Sequence, residues 1–94
     1  MIHRVTYKNI DEYTVDISVL DDHGIRSIGT ATKSTGLKWK LKAFFPVDAA
    51  DVQSINKLYD GPVEGGRELV KAWEYYKSYE LKDTAELFMG DLFK

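Results

Sequence analysis

Three side chains able to hold a metal ion stand in a row at Asp21, Asp22 and His23, with Gly24 directly after them. Carboxylate and imidazole are good donors for zinc or calcium, but consecutive residues in a tight turn rarely converge on one ion. The only other imidazole is His3, and there is no cysteine. The stretch therefore reads as a polar hairpin turn, and no metal site is expected. Ile28 to Ser34 ends like a phosphate-binding loop, in Lys33-Ser34. That loop needs glycine directly before the lysine and again five positions earlier, where this chain has Thr32 and Ser27. Gly65-Gly66 offers open backbone N–H groups to an anion, but Glu64 and Glu68 flank the pair and repel phosphate. These acids instead complement the positive end of a helix starting there. A serine or threonine nucleophile needs a base beside it and a group to orient that base. No Gly-x-Ser-x-Gly occurs, and no carboxylate sits inside an apolar run that would raise its pKa. No catalytic residue and no cofactor are expected.

The remaining candidates bind rather than react. Lys38, Lys40 and Lys42 recur at every second position, so they project from one face of a strand. With Arg26 and Lys33 they are the five basic residues between His23 and Val47, a stretch without an acid. Such a patch suits an anionic partner, either nucleic acid or an acidic protein surface. The plain alternative is a solvated sheet face whose lysines discourage edge pairing. A second candidate is aromatic. Tyr75 and Tyr79 stand at i and i+4 on a helix shoulder, and Phe88, Leu92 and Phe93 crowd the C-terminal end. Tyrosine and its aromatic relatives are enriched at the centres of protein interfaces. The C-terminal apolar residues either dock on their own chain or meet a second one.

Two kinds of element must carry these groups. Before Pro46 the apolar period is two, and after it the period is three to four. Ile2 to Lys8, Tyr13 to Val19, Ile25 to Lys33 and Leu37 to Phe45 read as strands. Gly29 inside the third marks a bulge or a close backbone approach. The alternation sets Tyr13, Val15, Ile17 and Val19 on one face, and Leu37, Trp39, Leu41 and Ala43 on one face of the last strand. Beyond Pro46, Asp48 looks like a helix cap with Asp51 in the capping-box position, followed by Val52, Ile55, Leu58 and Tyr59 at helical spacing. Asp60-Gly61-Pro62 ends that helix. Arg67 to about Lys82 is the strongest helical segment, with Leu69, Ala72, Trp73, Tyr76 and Tyr79 on one arc. Asp83-Thr84-Ala85-Glu86 would start a third, short helix. The expected fold is α+β: an antiparallel meander of three or four strands, then two or three helices packed on one face. Residues 1–94 form a single domain, with the meander in 1–46 and the helical part in 47–94.

Composition supports this frame. The chain has 94 residues, 44% hydrophobic and 13% aromatic, too apolar for intrinsic disorder. The net charge of −2 is split, with basic excess before Val47 and acidic excess after it. No stretch approaches the ~20 apolar residues of a membrane span, and a cytoplasmic location is expected. The layout is similar to that of many small phage-encoded inhibitors and regulators. By that analogy the expected function is a non-enzymatic protein-interaction module that masks a surface of a larger protein partner, or of a second copy in a homodimer. The alternative is a nucleic-acid-binding domain using the Lys38, Lys40 and Lys42 strand face.

Overall fold

The computed structural model describes residues 2–34 and 36–92, with side chains as far as Ser78. Five strands form one curled antiparallel sheet in chain order. They are β1 (Ile2–Asn9), β2 (Thr14–Asp21), β3 (Gly24–Lys33), β4 (Trp39–Ala43) and β5 (Leu58–Tyr59). Helix α1 (Val52–Asn56) lies between β4 and β5, and α2 (Pro62–Leu92) follows β5.

This corrects the expected three or four strands with two or three helices after them. Leu58 and Tyr59, given to the first helix by their spacing, form β5, with Trp39 opposite Tyr59 and Lys40 opposite Leu58. The helix stops at Lys57, whose extended backbone (φ −76°, ψ 149°) turns the chain onto the free edge of β4. That edge carries backbone groups needing partners, and two residues of strand satisfy part of it. The separate third helix is also corrected: Asp83 to Met89 fall within α2. Asp48 does not cap α1. Its carboxylate accepts the Ala50 N–H at 2.9 Å in a turn, and Asp51 stands at the helix N-cap.

The period-two pattern places the core. Val15, Ile17 and Val19 of β2 are buried together with Ile28 and Ala31 of β3 and Leu41 of β4. Tyr13 precedes β2 and is exposed, and Leu37 lies outside β4 in the turn before it, so neither joins the face its parity assigned. A bulge interrupts β3: Ile17 pairs with Gly29 and Ser18 with Ser27, which leaves Ile28 as the extra residue. Ile28 and Gly29 consequently both face inward.

Helix α2 covers this inner face with Leu69, Ala72 and Trp73. Three glycines bring it close. A Cβ on Gly29 would press on the Lys42 carbonyl oxygen and lie 2.7 Å from a Leu69 methyl. Gly65 and Gly66, expected to precede the helix, are inside its first turns, against Leu41 and Tyr59 and against the Tyr7 ring. Pro62 starts the helix, where its missing N–H has no intrahelical partner to lose, and Glu64 faces the positive end of the dipole.

Candidate functional site

A cluster of aromatic rings lies around the buried Trp73. The chain leaving β4 runs Phe44-Phe45-Pro46 past the middle of α2. Phe45 meets Trp73 edge-on with ring centroids 5.2 Å apart, and Tyr76 closes the triangle at 5.5 Å from Phe45 and 5.6 Å from Trp73. Edge-on and tilted pairs at these separations favour the ring quadrupoles, so the three rings form a firm floor. Two cations flank the indole. The Arg26 guanidinium lies 5.6 Å from the Trp73 ring centroid and the Lys77 ammonium 5.4 Å, both inside cation–π range. Together with Ser27, Phe44 and Pro46 these groups line a cleft of about 270 Å³. Phe44 is 54% exposed on its wall.

Local chain geometry explains why Arg26 is there. It pairs with Val19, a fully buried core residue, and directly opposed residues project to the same side of a sheet. Arg26 thus reaches over the helix side, away from Lys40 and Lys42. Lys77 comes from the next helical turn after Trp73.

A second hollow of about 260 Å³ shares Trp73 and Lys77 with the first and sets them beside Asp21, Asp22, His23 and Glu74. His3 Nε2 donates to Asp22 Oδ1 at 2.6 Å, and this bond first of all holds the Asp22 carboxyl below its ordinary pKa. No group of three or more His, Cys, Asp or Glu side chains able to hold a metal occurs among the described residues.

The lysine patch is divided by the fold. Lys40 and Lys42 are exposed on the open face of the sheet, in rows with Thr32 and Thr30. The Lys42 row continues through Asp16 of β2 to Lys8 of β1. Asp16 sits among them as an acceptor for the hydroxyls of Ser18 and Ser27, with Ser18 at 2.5 Å. Lys38 is ion-paired to Asp60 at the turn before α2. Lys33 stands opposite Trp39, which puts it on the helix side. Of the five basic residues, only Lys40 and Lys42 remain as an unshared pair on the open face.

Tyr75 is 51% exposed on α2. The side chains of Tyr79, Phe88 and Leu92, and all of Phe93, lie outside the described residues. Sequence reasoning missed Phe44, Phe45 and the move of Arg26 to Trp73. The signal for the first two was the apolar run from Ala43 to Val47, too long for a turn and too short for a membrane span. Arg26 had no signal, because the bulge at Ile28 changes the parity of β3 between Arg26 and Thr30.

No family model, curated protein or solved structure matches the chain. No helix among the described residues is long and apolar enough to cross a membrane.

Proposed function

We propose that the protein is a non-enzymatic interaction module that docks on a larger protein through the Phe44–Trp73 cleft and so masks the surface it contacts. The observation that carries this reading is the cleft over the aromatic triangle of Phe45, Tyr76 and the buried Trp73, with exposed Phe44 and half-buried Arg26 in its lining. Aromatic residues and arginine are the types enriched where interfaces gain most of their binding free energy. At about 270 Å³ the cleft falls below the usual range for small-molecule sites, roughly 300–1,000 Å³, and suits one or two anchoring side chains.

The nucleic-acid reading has less behind it. The open face that holds Lys40 and Lys42 carries no Phe, Tyr or Trp ring in the rows from Lys8 to Lys42, and Asp16 stands in the middle of it. Single-stranded nucleic acid needs stacking rings as well as cations.

A photo-crosslinking phenylalanine analogue at position 44 tests the proposal. It should tether one defined protein in extract, while the same analogue at Thr6 on the open face should not. Identical labelling from both positions, or none from position 44, overturns it.

A further inference from the structure

We infer that the Trp73 cleft reads an acidic peptide segment: a carboxylate side chain next to an aromatic or branched aliphatic anchor, presented by the partner protein. The inference depends on the docking role given to this cleft above and adds the chemistry of what docks.

The argument starts from charge. Arg26 and Lys77 both line the cleft and both lean on one indole ring. No carboxylate among the described residues forms an ion pair with Arg26. Arg26 is half-buried, and its guanidinium carbon lies 5.6 Å from the centroid of the Trp73 ring. The planar guanidinium fork carries two parallel donors, which match the two oxygens of a carboxylate. The apolar floor next to it lowers the local dielectric and strengthens that bond over one in open water. The rings of Phe44, Phe45 and Tyr76 then take the neighbouring apolar side chain of the same segment.

Carboxylate is favoured over phosphate by what the cleft lacks. Phosphate sites generally add a row of backbone N–H donors at a helix N-terminus. Here α2 passes the cleft at Trp73 and Lys77, well inside the helix, where backbone N–H groups are already bonded along the helix.

The probe is a terminally blocked hexapeptide with a central Phe-Leu pair and two aspartates on each side, followed by its all-asparagine counterpart. Binding is read from Trp73 fluorescence in a Trp39→Phe background. The acidic peptide should bind at least tenfold more tightly than the asparagine peptide. Arg26→Gln should remove most of that ratio while leaving the asparagine peptide unchanged, and Lys77→Gln should reduce it by a smaller factor. Retained thermal unfolding separates these effects from misfolding, and Arg26→Lys, which keeps charge without the planar fork, should fall between. Raising salt should weaken the acidic peptide more than the neutral one. Equal binding of both peptides overturns the acidic reading yet leaves docking intact. So does failure of both peptides while position 44 still crosslinks. A phosphoserine peptide binding more tightly than the aspartate peptide overturns the choice of carboxylate. Concentration-dependent self-association abolished by Arg26→Gln overturns it in favour of a second copy of this chain as the occupant.

Discussion

Gly29 stands where a methyl group has no room. One neighbour is the main-chain oxygen of Lys42, which cannot rotate away, and the other is Leu69, a fully buried side chain. Gly29→Ala should cost about 1–3 kcal/mol by overpacking, a fall in melting temperature of about 4–8 °C for each kcal/mol in a domain of this size. Gly36→Ala, with open space around its Cβ, should leave the melting temperature within error. Leu37 carries the opposite problem. It holds φ at 63° while 70% exposed, a conformation that costs an ordinary side chain about 1–2 kcal/mol. Leu37→Gly should therefore raise the melting temperature by a few degrees, net of the chain entropy glycine adds to the unfolded state. Two titrations have opposite signs. The Lys38 hydrogen bond, then its charge, holds Asp60 below its ordinary pKa of 3.8. That contribution is present above the ordinary value and is lost as pH falls through the lowered one, so Asp60→Asn should flatten the acid limb of the stability curve. Burial raises the Tyr7 phenol above 10.0, with the Arg67 charge opposing it. Its contribution is intact below pH 10 and is lost as pH rises through the raised value, so Tyr7→Phe should flatten the alkaline limb.

Among the elements, α2 depends most on a single residue type pattern and gains most from one partner. Its inward residues Leu69, Ala72 and Trp73 meet the buried side chains of β2, β3 and β4. Trp73→Ala should cost about 3–5 kcal/mol, enough to unfold much of a marginally stable domain. Chemical denaturation of the purified variant checks this, and an unchanged midpoint would place Trp73 outside the core. The strands and this helix stripe were legible from period alone, because one buried face per element forces the repeat. β5 was not legible. Two residues have no period, and Leu58-Tyr59 continues a helical spacing that began at Val52. Its strand conformation comes from the unpaired edge of β4, a partner distant in the chain. The helix start at Pro62 was hidden for a related reason: Gly65-Gly66 reads as a breaker locally, and only the sheet beneath rewards the loss of side chains there.

For the molecule as a whole, the two faces of the sheet divide the labour. One is covered by α2 and gathers Arg26 at the aromatic cleft. The other is open, with Lys8, Asp16, Thr30 and Lys42 in one row. Mixed signs in that row keep its field weak, and this predicts a shallow salt dependence for any nucleic-acid binding. A Lys40→Glu/Lys42→Glu double variant should retain the binding of the partner trapped at position 44, whereas Phe44→Ala should weaken it by tenfold or more, measured with purified proteins.

The order of residues by itself determined the meander of the first four strands, the inward stripe of α2 and the outward set of Lys40 and Lys42. Each follows from local rules, since side-chain direction repeats every two or 3.6 residues whatever lies opposite. Only the tertiary structure decided where Arg26 points, that Lys38 is tied to Asp60, and that Phe44, Phe45, Trp73 and Tyr76 share one cleft. Those outcomes depend on one inserted residue at Ile28 and on segments about 30 positions apart coming into contact. A parity shift and a long-range contact leave no periodic trace in the chain, and they are set by which arrangement buries the most apolar surface without stranding a backbone donor.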